Sequence, residues 1–239
     1  MPKLTAMKKI VSSILVILIL ASCNITNGSG KIVSENRTVD NFTALSVGNS
    51  FDVEVKIGPN TSVRVEADDN VIKHIETSVT NETLKIYLED NYSFSDAHLK
   101  VYITTPSLKA IKTSGSASVD VLDVLTSDGK LSFKASSSSD IKVKVNAPEV
   151  EAGASSSASI DLSGKTKTYY AEASSSSDID SWNLLSENAT AKASSSATIK
   201  LHASVNLNAH ANSSAEIIYH GAATVNKSVS SSGSVEKRD

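Results

Sequence analysis

The sequence predicts an all-β protein, chiefly a parallel, right-handed β-helix with coils of about 18–20 residues and a less regular β-rich N-terminal part. Three observations carry this. A motif Ala-Ser-Ser-Ser starts at Ala135, Ala154, Ala173 and Ala193, weakens to Ala211-Asn212-Ser213-Ser214 and fades into Val229-Ser230-Ser231-Ser232, with starts 18 to 20 residues apart. Apolar residues alternate with polar ones inside each repeat. Turn formers interrupt the alternation at Asp128-Gly129, Asn146-Ala147-Pro148, Ser163-Gly164 and His220-Gly221.

Alternate residues of a strand point to opposite faces, so Ala135, Ser137, Ser139, Ile141, Val143 and Val145 share one side. Ser136, Ser138, Asp140, Lys142 and Lys144 share the other. The same frame places Ala154, Ala158, Ile160 and Leu162 inside, then Ala173, Ser177 and Ile179, then Ala193, Ala197, Ile199 and Leu201. A helical period of 3.6 fits none of these runs. Run backward, the frame passes through Leu131 and Phe133, Val150 and Ala152, Tyr169 and Ala171, Ala189 and Ala191, and Leu207 and Ala209, so each unit holds more than one strand. Coils of this length have a narrow interior, which explains the small residues. Ser137, Ser156, Ser175, Ser195, Ser213 and Ser231 fall on the inward frame and are expected to bond to one another or to backbone, avoiding the ~1–3 kcal/mol cost of an unmet buried polar group. No G-x-S-x-G elbow or paired histidine marks any of them as a nucleophile.

Between Ile32 and Pro106 strand signals recur without a fixed period. Phe51 to Ile57, a Gly58-Pro59-Asn60 turn and Val63-Arg64-Val65 resemble a hairpin, and Leu84–Leu88 and Leu99–Ile103 give two more strands. One helical turn is expected within residues 69–75, capped by Asp68 or Asp69, leading into a strand around Thr77 to Val79. These strands should continue the stack or cap its end, because an open β-helix terminus exposes edge groups. The organisation expected is a leader (1–22), a polar tether (23–30), an N-terminal β-rich subdomain (31–106) and Ser-rich β-helix repeats (107–239).

Lys3, Lys8 and Lys9 precede an apolar run from Ile10 to Leu20, too short to span a bilayer but suited to a secretory leader. Leu20-Ala21-Ser22-Cys23 then resembles a bacterial lipobox, which makes Cys23 the expected site of lipidation. As the single cysteine it leaves no room for a disulfide within one chain. Removing the leader leaves 20 basic against 26 acidic side chains, a net charge of −6 with neutral histidine, which disfavours nucleic-acid binding.

Few constellations carry chemistry. Asp161 and Asp180 occupy one outward position in consecutive coils between Lys142 and Lys200, and Asp178 shares their face; two carboxylates about 4.8 Å apart can share Ca²⁺ or act as an acid/base pair. Against an enzyme on polysaccharide, the repeat array has no arginine before Arg238 and few aromatics to stack a sugar. His202 and His220 align with Trp182 of the coil before and would stack at a corner; two imidazoles lacking a third ligand make a weak metal site. The outward serine rows are expected to form a flat hydroxyl face able to dock a glycan or another sheet.

Three segments together resemble the auto-transporter adhesin head GIN domain, a family of secreted Bacteroidota proteins. They are Gly28-Ser29-Gly30-Lys31-Ile32-Val33 with Arg37-Thr38-Val39-Asp40-Asn41-Phe42, then Ala44-Leu45-Ser46-Val47-Gly48-Asn49-Ser50-Phe51-Asp52-Val53, then the Ser-rich repeats. The resemblance implies a β-helical fold and placement in the cell envelope, and brings no catalytic residues with it. The expected protein is an outer-membrane lipoprotein, on either face, acting as a binding or adhesion module for a glycan or an envelope protein, with no cofactor and no chemistry of its own. A polysaccharide-active enzyme using Asp161, Asp178 and Asp180 is the second reading. An envelope-stress signalling partner is the third, since related β-solenoid domains occur beside phage-shock-type membrane proteins.

Overall fold

The computed structural model describes residues 25–238. The leader and Cys23 lie outside the described residues. The chain forms β1 (Ile25–Asn27), β2 (Ile32–Arg37), β3 (Ala44–Val47), β4 (Asp52–Ile57) and β5 (Ser62–Asp68), then one 3₁₀ turn at Ile72–His74. There follow β6 (Ile75–Thr80), β7 (Thr83–Leu88), β8 (Ser93–Ser95), β9 (Leu99–Thr105), β10 (Ala110–Thr113), β11 (Ser118–Thr126) and β12 (Lys130–Ser136). The long β13 (Asp140–Ser155), β14 (Ser159–Ser174) and β15 (Asp178–Ala193) each run around a corner, and β16 (Thr198–His202), β17 (Asn206–Ala211), β18 (Glu216–His220), β19 (Thr224–Val229) and β20 (Ser234–Lys237) complete the chain.

These strands form a β-solenoid with two sheet faces. One face stacks β6, β7, β3, β10 and β12, then the second halves of β13, β14 and β15, then β17 and β19. The other stacks β2, β5, β9, β4 and β11, then the first halves of β13 to β15, then β16, β18 and β20. Both faces pass residue 107 without interruption, because β10 and β11 pair in parallel with β3 and β4.

The Ser-rich motif is the corner between the faces. Ser137 and Ser138 have φ of 57° and 61°, and the equivalent pair in every later unit, through Ser231 and Ser232, is likewise at positive φ. Two consecutive left-handed residues close a primed-type turn, and backbone bonds across four residues seal it: the Ala158 N–H donates to Ser155 O at 3.3 Å and the Ala215 N–H to Asn212 O at 3.1 Å. The six serines expected to point inward are therefore corrected. Ser137, Ser156, Ser175, Ser195, Ser213 and Ser231 sit at exposed turn positions. The expected flat hydroxyl face is likewise a ridge along one corner.

Each turn is tied to the next. The N–H of its second left-handed residue donates to the carbonyl of the first one in the following coil, in an unbroken series from Ser116→Ser137 and Ser138→Ser156 to Ser214→Ser231, with distances of 2.9–3.0 Å. Left-handed residues other than glycine cost about 1–2 kcal/mol each, whereas a net hydrogen bond returns about 0.5–1.5 kcal/mol. The turns therefore do not stabilise themselves; the core beneath them does. Two of the buried serines, Ser139 and Ser177, lie just beyond the turns and satisfy their backbone. Ser139 Oγ donates to Ser136 O at 2.8 Å and meets Thr113 Oγ1 at 2.8 Å, and Ser177 Oγ donates to Ala154 O at 2.9 Å.

In the core, Val101, Val53, Val119, Ile141, Ile160, Ile179, Ile199, Ile217 and Val235 form one column in register. The opposite face supplies Leu45, Ile111 and Phe133, then Ala152, Ala171, Ala191 and Ala209. The alanines let the two faces close on the isoleucines. Tyr169 is fully buried, and its bulk is matched by Ala189 in the next coil. The alanine column ends in Lys227, which is exposed in the last coil.

The expected hairpin of β4 and β5 is not formed: β9 lies between them, parallel to β4 and antiparallel to β5. The stack needs a parallel neighbour for β4, and β9 supplies it from over forty residues downstream. The β5, 3₁₀ and β6 segment then closes the N-terminal end by antiparallel pairing. Asp68 does not cap the 3₁₀ turn through its side chain. Its buried carboxylate accepts the N–H of Gly30 at 2.6 Å and of His98 at 2.7 Å, and a Cβ on Gly28 would lie 2.7 Å from Asp68 Oδ2. Asn70 bonds Ser29 N and Asn27 O, and Ser29 Oγ donates to Asp69 at 2.7 Å. The segment read as a tether is thus held to the fold from Ile25 onward, with β1 paired to β8.

In β14 the second corner turns at a glycine: Gly164 has φ of 111°, and a Cβ there would lie 2.0 Å from Val145 O. Gly164→Ala is expected to lower the thermal midpoint sharply. At the Ser corner, Ser176→Val should cost about 1–3 kcal/mol while Ser176→Gly leaves the midpoint unchanged or raised; equal midpoints for the two in thermal melts would contradict the role assigned to the turn.

Candidate functional site

The stacking register brings the expected carboxylates together. Asp161 pairs with Asp180 across β14 and β15, Lys142 pairs with Asp161, and Lys200 with Asp180. Lys200 Nζ lies 3.9 Å from Asp180 Oδ2, and Asp180 Oδ1 accepts the Trp182 N–H at 3.1 Å. Partial burial raises the Asp161 carboxyl above its ordinary value, with Asp180 adding to the rise and Lys142 opposing it. Asp178 pairs instead with Ser159 and Thr198, two positions along the strand pair. Among the described residues no group of three or more His, Cys, Asp or Glu side chains is placed to hold a metal ion.

His202 and His220 pair in register at the corner after β16 and β18, with ring centroids 4.8 Å apart, and Trp182 stacks on His220 at 4.1 Å. A bulge at the Ser181–Trp182 step of β15, which absorbs the extra residue of that coil, swings Trp182 to the corner. The Ser186 N–H donates to His202 Nδ1 at 3.2 Å, so that lone pair is occupied. His220 Nε2 donates to Trp182 O at 2.9 Å. Both rings thus serve as struts of the corner. Burial first, then His220, depresses His202 below the usual imidazole value of 6.5.

The other histidines also have places. His74 stacks on Tyr92 at 3.7 Å beside Phe94 and lies 3.1 Å from Glu89, forming an aromatic cluster beside β8. His98 contributes its backbone N–H to Asp68, and His210 is exposed on β17.

A surface that the sequence reading missed lies on the outside of the alanine-lined face. In its N-terminal half this surface is laced with charge: Lys130 bridges Glu149 at 3.4 Å and Glu151 at 2.5 Å, and Lys134 reaches Glu151 at 3.5 Å. Beyond them the same columns turn neutral. One reads Thr168, Asn188, Asn206, Thr224, and its neighbour Thr190, Asn208, Asn226. Asn206 Nδ2 donates to Asn188 Oδ1 at 2.8 Å and Asn226 Nδ2 to Asn208 Oδ1 at 3.5 Å. The two columns line a shallow concavity whose floor is the strand backbone at Ala189, Leu207 and Val225. The available signal was register, since each residue recurs one coil after its counterpart with no local motif.

The fold is a two-faced parallel solenoid closed at its N-terminal end, with a packed interior and two exposed sheet faces. The chain belongs to the family described as "Putative auto-transporter adhesin, head GIN domain", whose model matches residues 41–223. Its fold is that of a "putative adhesin" from Bacteroides fragilis, with a TM-score of 0.81 at 19% identity over 88% of this chain and 98% of that one. A "putative adhesin" from Parabacteroides merdae aligns with a TM-score of 0.74 at 19% identity, over 90% of this chain and 99% of that one. A "Putative lipid binding protein" from Parabacteroides distasonis gives 0.73 at 22% identity, over 89% and 99%. No curated protein matches the chain.

Two outcomes are expected here. Asp161→Asn removes a like-charge contact and should stabilise the fold by about 0.2–1 kcal/mol; a stabilisation of the parent protein by millimolar Ca²⁺ that this variant loses would instead mark a cation site. For His202, the unfolded chain takes up a proton before the folded one, so its stability contribution is complete above the ordinary value and is lost as pH falls through the depressed one. His202→Gln should therefore flatten the fall in thermal midpoint between about pH 7 and pH 5; a fall of unchanged slope would exclude His202 as its source.

Proposed function

We propose that this protein is an envelope lipoprotein, acylated at Cys23, that acts as a non-catalytic binding or adhesion module. The observation that carries the proposal is the clamp on residues 28–30 by Asp68, Asp69 and Asn70. It holds the chain just after Cys23 against the capped end of the solenoid. A lipid on Cys23 would then fix that end at the membrane and direct the repeats away from it, with no long flexible linker between anchor and fold. A rigid rod so mounted presents its two sheet faces at a defined orientation, which limits the entropy lost on binding. Membership of the adhesin-head family supports the same reading, and with it an extracellular or envelope setting. The packed interior favours ligands on the outer faces: Tyr169, Phe133 and Leu131 fill the space between the sheets.

The anchor is tested by metabolic labelling with an alkyne-bearing palmitate. Incorporation into the parent protein and its loss in Cys23→Ser are expected; an unlabelled parent, or a labelled variant, would overturn the anchor. Protease shaving of intact cells then assigns the face, since loss of the protein places it outside and protection places it in the periplasm.

A further inference from the structure

We infer that the neutral Asn/Thr surface on the outside of the alanine-lined face is a binding site for an extended, uncharged polysaccharide chain. The inference rests on the binding-module reading above and names its site and ligand class.

The chemistry of the surface selects the ligand. Of all residues in the chain 21% are charged, and the N-terminal half of this same face carries a network of lysines and glutamates. From Thr168 to Asn226 the two columns carry none. Within these two columns the surface is neutral, a departure from how surfaces are kept soluble, and charge returns only at its edge, where Glu172 and Lys192 pair in the next column. Each carboxamide donates and accepts, as does each threonine hydroxyl. A sugar hydroxyl has the same dual capacity, so a polyol satisfies the patch and a charged polymer does not.

Geometry adds periodicity and preorganisation. The columns climb the solenoid at the coil spacing of about 4.8 Å, so a chain laid along the axis meets a similar amide or hydroxyl at each rung. The side-chain bonds Asn206→Asn188 and Asn226→Asn208 orient the carboxamides, and each bond uses one donor and one acceptor, leaving the others for a ligand. The shallow concavity between the columns seats the chain over the strand backbone at Leu207 and Val225. At the N-terminal rim the second column continues into Tyr170, whose ring is held by Lys192 at 5.5 Å and whose hydroxyl donates to Glu172 at 2.9 Å. It supplies a fixed aromatic edge where the patch begins.

The test uses the protein from Cys23 to Asp239 in soluble, unacylated form, with neutral hexasaccharides of β-glucan, mannan and α-glucan type as probes and polygalacturonate as the anionic control. The parent should bind at least one neutral probe with little dependence on salt. Asn188→Asp/Asn208→Asp, which keeps the size of the side chains, should weaken that binding by about tenfold or more, roughly the loss expected for one or two hydrogen bonds. An unchanged thermal midpoint certifies the fold. Neutral binding that the double variant leaves intact would overturn this site while sparing the binding-module reading, as would binding of the anionic polymer alone. A concentration-dependent dimer abolished by the variant, with no glycan binding, would make the surface a self-contact and also overturn the inference. Absence of binding to every probe overturns it too, and attachment of intact cells to immobilised matrix then decides separately whether the broader reading survives.

Discussion

The structure depends on the stacking of left-handed serine pairs at one corner of each coil. Two consecutive residues at positive φ turn the chain sharply enough for the two sheets to lie close, and the backbone bond from each turn to the next fixes the register of neighbouring coils. Once that register is set, every residue has a defined neighbour above and below. The isoleucine column, the alanine column and the amide columns all follow from it. Serine is tolerated here at a strain cost that glycine would avoid, because its short side chain clears the turn and each pair gains bonds from its neighbours. Glycine appears where no side chain fits at all, at Gly164 and Gly221, each with backbone oxygen within 2.2 Å of a would-be Cβ.

Much of this was legible in the sequence because a solenoid copies its repeat into space. The coil length, the buried column from Ile141 to Ile217, the juxtaposition of Asp161 with Asp180, and the corner of Trp182, His202 and His220 all follow from aligning the units. The turn itself was concealed. The step from Ala135 to Ser139 is four positions, an even number, so both are buried and the alternation runs through the turn without a break. Periodicity therefore assigned Ser137 to the interior, where it would belong if the strand were straight.

The N-terminal part resisted for a different reason. The rung formed by β3 and β4 precedes in sequence the rung of β7 and β9 that lies beneath it, and β9 enters between β4 and β5. Local patterns identify each of these strands, but chain order does not give spatial order when a closing segment folds back. The Gly28-Ser29-Gly30 motif acquires its reason only in the structure, as the stretch that approaches the buried Asp68 carboxylate too closely for a side chain at position 28. The amide columns were hidden because Thr168, Asn188, Asn206 and Thr224 sit in different units and form no motif in any one of them.

The two ends of the stack bear on where a ligand can act. Antiparallel strands close the N-terminal end, and the clamped segment at residues 28–30 packs beside them. At the other end the inward alanine column stops at an exposed lysine, Lys227, and the final strands carry Glu236, Lys237 and Arg238. The lysine breaks the alanine column at β19. What remains available is the lateral surface, where the register of the turns holds side chains in fixed columns. Along one face the columns change from a Lys/Glu lattice to an Asn/Thr lattice, and this is the point at which the chain departs from a uniformly solvated rod.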